Sequence, residues 1–210
     1  MGAAWGAAAP AASAAGLLAL LLVCLREIEK LRFFRNFPLG NTFRKPGFSF
    51  EKIPNLTGKT AVVTGATSGI GKQVAIRMAE AGARVIICCR SLAKGRAVVS
   101  EITRSHPRAL TDVVALDLTS LHSVHTCASV ISSRHRSVSI LVLNAGQIPP
   151  HSLTLTTDGI EQTFQVNYLA QFYLFSLLSP LLREARSARV VHVSSSAHAA
   201  APACGVPLTK

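Results

Sequence analysis

Lys59-Thr60-Ala61-Val62-Val63-Thr64-Gly65-Ala66-Thr67-Ser68-Gly69-Ile70-Gly71-Lys72 is the stretch that decides how this chain is read. Thr60 to Val63 are β-prone, a glycine-rich turn follows, and Gln73 to Ala81 has helical spacing. A strand, a tight turn and a helix in that order make a cradle for phosphate. Gly65 permits the sharp exit from the strand, Gly69 lets the backbone approach a diphosphate, and Gly71 lets the helix pack on the strand. The free N–H groups and the positive dipole end of the helix face the same point. The spacing is G-x-x-x-G-x-G, preceded by Thr64, and not the commoner G-x-G-x-x-G. A plain βα turn carries glycines too, so the rest of the chain has to decide.

From Gly58 onward strand and helix patterns alternate, the mark of a parallel sheet with helices on both faces. Strands are expected at Ala83–Cys89, Asp112–Leu116, Ser139–Leu143 and Arg189–Val193, and helices at about Leu92–Thr103, Ser120–Ser132 and Asp158–Leu182. Asp158 and Glu161 read as a capping box for the last helix. Its Leu169–Leu182 run is apolar, but Gln165, Asn167 and Gln171 mark a buried core helix and not a membrane span. Adjacent Cys88 and Cys89 lie in an expected strand, point to opposite faces and are not expected to pair with each other. None of the five cysteines shows metal spacing, and reduced, buried thiols are expected.

Residues 1–25 carry no charged side chain, and Gly16 to Leu25 is almost wholly apolar. Positive charges follow it: Arg26, Lys30, Arg32, Arg35, Arg44, Lys45 and Lys52. With no basic residues before the apolar core, a signal anchor is favoured over a cleaved signal peptide or an interfacial segment. The positive-inside rule then places the remainder in the cytosol, with the endoplasmic reticulum the expected membrane. The sequon Asn55-Leu56-Thr57 tests this, since it is glycosylated only on a lumenal side. Residues 26–57 read as a basic linker broken by Pro38, Pro46 and Pro54. Its Phe33, Phe34 and Phe37 suit either a membrane surface or packing on the domain. The formal net charge is +12, but the basic residues are scattered with no aromatic-basic stripe. An anionic cofactor and an anionic membrane explain that balance better than nucleic acid, which is not expected as a partner.

Arg90 closes the second strand where an NAD-binding site would place an acid for the ribose 2′-hydroxyl. No acid occurs between Glu80 and Glu101, and Lys72 follows the last glycine. A basic pair there accepts a 2′-phosphate, which points to NADP(H). Asp117-Leu118 follows the third strand, Asn144-Ala145-Gly146 the fourth, and Ser194-Ser195 the fifth, while Asn167 sits on the facing helix. Strand carboxyl ends are where open α/β sheets bind ligands.

With Thr64, the glycine turn and these motifs in order, residues 56–198 resemble the short-chain dehydrogenase/reductase family. They are most similar to its membrane-anchored, retinol-dehydrogenase-like branch. The resemblance implies a Rossmann-type doubly wound parallel sheet that holds a nicotinamide dinucleotide, with a lipophilic alcohol or carbonyl, retinoid- or steroid-like, as substrate. Gly65, Thr67, Ser68, Gly69, Ile70, Gly71 and Lys72 would take the diphosphate side. Arg90 would take the 2′-phosphate, Asp117 and Leu118 the adenine, and Asn144, Ala145 and Gly146 would line the cofactor. Ser195 would hydrogen-bond the substrate carbonyl, and Asn167 would hold a proton-relay water.

One part of the family pattern is missing. Its general acid/base is a Tyr with a Lys four residues on. This chain has only Tyr168 and Tyr173, both before Ser195, and Val206 stands four positions before Lys210. The expectation is therefore a C-terminally truncated fold: anchor 1–25, linker 26–57, incomplete NADP-binding domain 58–198 and irregular tail 199–210. Such a chain would lack catalysis, would leave the fifth strand as a bare edge, and would associate with itself or with a full-length relative or prove unstable.

Overall fold

The computed structural model describes residues 53–148, 150 and 152–195. The expected anchor, most of the linker and the tail after 198 lie outside the described residues. No helix among the described residues is long and apolar enough to cross a membrane.

Among the described residues, five parallel strands form one sheet in the order β3-β2-β1-β4-β5. They are β1 Thr60–Thr64, β2 Arg84–Cys89, β3 Thr111–Ala115, β4 Ile140–Leu143 and β5 Arg189–His192. The helices are α1 Gly69–Glu80, α2 Leu92–Ser105, α3 Leu121–Arg134, the short α4 Gln162–Phe164, and α5 Ala170–Glu184, with a π-helical turn at Gln165–Leu169 before α5. Strand order reverses between β1 and β4, which opens a crevice at their carboxyl ends.

Alternation along each strand sorts the core into two layers. Val62, Ile86, Cys88, Val114, Leu141 and Leu143 pack with α3 and α5 through Val124, Cys127, Ile131, Leu174 and Leu178. Ala61, Val63, Val85, Ile87, Cys89, Ile140 and Val142 pack on the other face with α1 and α2 through Ala75, Ala79, Val98 and Ile102. Burial on both faces is why these strands read as unbroken apolar runs. Cys88 and Cys89 do split between the layers. The Cys88 and Cys127 sulfurs lie 3.9 Å apart, close enough for a thiol hydrogen bond, and both thiols are free.

Three boundaries differ from the sequence reading. The packed unit starts before Gly58: Leu56 is buried, and its N–H donates to the Ala81 carbonyl. The capping box does not form. Glu161 alone caps α4, accepting from Thr163 and Phe164 N–H, while Asp158 turns away to accept from Leu121 N–H and Gln165 Nε2. The helix pattern is also interrupted by the π turn. Gln165 and Asn167, two positions apart, would face different sides of a regular helix, and both are tethered: Gln165 to Leu118, Asn167 to Gln147.

At the sheet edge, β5 pairs only with β4 among the described residues, and all four of its residues are exposed. Val190 and Val191 are 44% and 46% exposed, where the apolar residues of β1 and β4 are at most 9%.

Candidate dinucleotide pocket

The crevice at the strand ends holds a cavity of about 350 Å³. Its walls come from four loops. Gly65, Thr67 and Ser68 form the β1–α1 turn, and Arg90, Ser91 and Lys94 follow β2. Asp117 and Leu118 follow β3, and Asn144, Ala145 and Gly146 follow β4.

The turn after β1 is packed against the loop after β4. Gly65 has φ +65°, and a Cβ there would lie 2.9 Å from Ala145 Cα, so only glycine fits. A Cβ on Gly71 would collide with Asn144 Nδ2 and the Gly65 carbonyl. The glycines thus bring α1 and the Asn144 loop into contact beneath the cavity. Asn144 Nδ2 donates to the Thr64 carbonyl at 3.1 Å, and Thr64 Oγ1 accepts from the N–H groups of Asn144 and Ala145 at 2.9 and 3.0 Å.

The amino end of α1 suits an anion. Ser91 and Ser120 accept hydrogen bonds from the first turns of α2 and α3, whereas Ser68 makes no such bond to α1. No acid occupies the first turn of α1, so its N–H groups and dipole end remain available to a diphosphate. At the far end, Arg90 and Lys94 place two cations where the sequence offers no acid. Asp117 Oδ1 accepts from Thr119 N–H and Oγ1 at 2.9 and 2.8 Å. Cradle, open helix end and basic rim fit an anionic dinucleotide.

Several expected site residues stand elsewhere. Lys72 Nζ is 2.7 Å from Glu101 Oε2 on α2, outside the cavity lining. Gly69, Ile70 and Gly71 do not line it either; Ile70 is exposed, and Gly71 supports it from below. The Asn167 side chain is engaged on both sides by Gln147, accepting from its N–H at 2.8 Å and donating to its carbonyl at 3.0 Å. It braces the loop after Gly146. Ser195 follows β5 and is exposed, and neither it nor Asn167 lines the cavity.

Lys94, Ser91 and Gln147 were not read from the sequence as site residues. The signal for Lys94 was present in Arg90-Ser91-Leu92-Ala93-Lys94: a serine N-cap puts the lysine in the first helical turn, facing the strand end. Buried Gln165 and Gln171, noted only as signs of a core helix, prove to hold the pocket loops.

Residues 59–207 match the short chain dehydrogenase family. The chain is 44% identical over 144 residues to "WW domain-containing oxidoreductase" of Gallus gallus, covering 69% of this chain and 34% of that protein. It is 42% identical over 144 residues to "Retinol dehydrogenase 12" of Mus musculus, covering 68% of this chain and 45% of that one. Among solved structures, a short chain dehydrogenase from Escherichia coli CFT073 complexed with NADPH is 29% identical. It superposes with a TM-score of 0.56 over 65% of this chain and 58% of the other. The chain therefore spans between a third and a half of the length of these two curated relatives.

Proposed function

Because the chain belongs to the short-chain dehydrogenase/reductase family, in its retinol-dehydrogenase-like branch, we propose that it holds NADP(H). In this reading it is the nucleotide-binding part of an oxidoreductase acting on a lipophilic alcohol or carbonyl. The observation that carries the cofactor reading is the basic rim: Arg90 and Lys94 line the cavity where an NAD site would carry an acid. A 2′-phosphate there gains charge-assisted hydrogen bonds, and the guanidinium of Arg90 can make two at once. A structure solved with NADPH among the similar proteins supports the same cofactor class.

When bound, the dinucleotide supplies or accepts the hydride. This chain's residues bind and orient it: the α1 amino end takes the diphosphate, Leu118 takes the adenine, and the Asn144–Gly146 backbone takes the nicotinamide side. Ser195 is the candidate partner of the substrate oxygen. Asn167 contributes through the loop it holds, since its own amide is taken up by Gln147. The N-terminal segment is proposed to anchor the protein in the endoplasmic reticulum membrane, with the pocket on the cytosolic side. Exposed Val190 and Val191 on β5, and Val193 just after it, favour a second role, association with another copy or with a relative.

Calorimetric titration of the full chain with NADP⁺ and NAD⁺ tests the cofactor reading. NADP⁺ should bind at least about tenfold tighter, the worth of one good charge-assisted contact. Equal affinities would overturn the 2′-phosphate assignment, and no binding of either would overturn the nucleotide reading itself.

A further inference from the structure

We infer that Gln171, on α5, is a positioning residue for the pocket: it sets where Ala145 stands against the glycine turn. The inference rests on the NADP(H) reading and deepens it. Gln171 is 1% exposed and lies in a helix whose other buried residues are Ala170, Leu174, Leu178 and Leu182. A primary amide in that setting costs free energy unless its hydrogen bonds are made. They are made to the two residues that shape the pocket floor. Gln171 Nε2 donates to the Ala145 carbonyl at 2.6 Å, and Gln171 Oε1 accepts from Thr64 Oγ1 at 3.1 Å.

The direction of every bond in this ring is fixed by chemistry. The Ala145 carbonyl can only accept, so the amide nitrogen must face it and the amide oxygen must face Thr64. Thr64 has one proton and two acceptors in reach, Gln171 Oε1 at 3.1 Å and the Val142 carbonyl at 3.4 Å; the shorter bond goes to Gln171, and both lone pairs stay with the N–H groups of Asn144 and Ala145. Ala145 is gripped on both sides of its Cα, by Thr64 at its backbone nitrogen and by Gln171 at its carbonyl oxygen. Its Cα is what a Cβ on Gly65 would strike. A shift of Ala145 therefore moves the wall of the cavity on both sides of the diphosphate turn. A leucine would fill the same volume and release the carbonyl. A glutamate would preserve the ring only while protonated, because a carboxylate would face the Ala145 oxygen with a lone pair. The hydrogen-bonding partners Thr64 and Ala145 are uncharged and offer it no counter-ion.

The test measures NADP⁺ affinity by calorimetry, and thermal unfolding, for the full chain, Q171L, Q171E and I131A. Ile131 is fully buried on α3 and lines no part of the cavity, so its variant controls for loss of stability alone. Q171L should bind NADP⁺ about tenfold more weakly, the effect of one buried carbonyl left unpaired, while I131A stays within about twofold. Q171E should match the wild type near pH 5 and fall about tenfold below it near pH 8.5, with the wild type measured at both. If Q171L does not fold, the pH dependence of Q171E decides. Q171L and Q171E binding as the wild type does, at both pH values, would overturn the positioning role and leave the cofactor reading intact. Failure of the wild type to bind would overturn both.

Discussion

Lys72 and Glu101 form an ion pair across α1 and α2, Nζ to Oε2 at 2.7 Å, with side chains 28% and 45% exposed. The lysine next to the last glycine is thereby committed to a neighbouring helix, and Lys94 takes the place beside Arg90 in the cavity wall. Half-exposed pairs of this kind contribute about 0–1 kcal/mol. K72A should accordingly cost less than about 1 kcal/mol and leave NADP⁺ affinity within about twofold. K94A should weaken NADP⁺ about tenfold while changing NAD⁺ little, read by parallel titrations. An equal loss for both cofactors in K94A would place Lys94 on a phosphate they share.

Gly71 lies under the cavity and not in its wall, yet G71A should be among the most damaging single changes at the site. The added methyl meets Asn144 Nδ2 and the Gly65 carbonyl, a main-chain atom that cannot step aside. Overpacking of this sort costs about 1–3 kcal/mol, so a drop in urea midpoint should accompany the loss of nucleotide binding. A G71A protein with unchanged midpoint and affinity would show that α1 can slide away from Asn144.

Leu178 is fully buried between α5 and the sheet, in the layer that contains Ile131 and Leu141. L178A should cost about 2–5 kcal/mol, from lost burial plus the cavity left behind. The readout is the unfolding midpoint. A cost below about 1 kcal/mol would mean that α5 is loosely seated on its layer.

His135 caps the end of α3, and burial lowers its pKa below the ordinary 6.5. Asp112 pulls the other way at 3.8 Å, while Arg84 and Arg134 lower it further. A histidine with a depressed folded pKa binds fewer protons folded than unfolded. Its contribution is therefore intact above the unfolded value and is lost as pH falls through 6.5 toward the folded one. Denaturant unfolding at about pH 7.5 and pH 5 should show wild-type stability falling more than that of H135Q. Equal slopes for the two proteins would remove His135 as the cause.

The layered sheet was legible because parallel strands buried on both faces are written as unbroken apolar runs. Ile86, Ile87, Leu141 and Val142 leave no other reading. The glycine turn was legible because Gly65 and Gly71 answer to close contacts that only glycine allows. What could not be read is which partner a polar side chain takes. Lys72 and Lys94 are equally plausible from spacing, and only the approach of α2 to α1, which brings Glu101 within reach, separates them. Asp158 and Glu161 have capping-box spacing, but α3 passes near enough for Leu121 N–H to claim Asp158. Gln171 was seen as polar in an apolar helix, and its two bonds reach residues 26 and 107 positions away. No local pattern encodes contacts at that range.

The adjacency of Cys88 and Cys89 gives the molecule two built-in reporters. Cys88 lies with Cys127 in the layer under α3 and α5, Cys89 in the layer under α1 and α2. Both side chains are buried and both border the crevice at the strand ends, so a thiol reagent reaches each when its own layer opens or by way of the crevice. With the crevice sealed by nucleotide, peptide-resolved labelling rates at these two neighbouring positions clock the opening of each face of the sheet separately. A bound nucleotide that seals the crevice slows both clocks together, whereas a helix that peels off alone speeds only one.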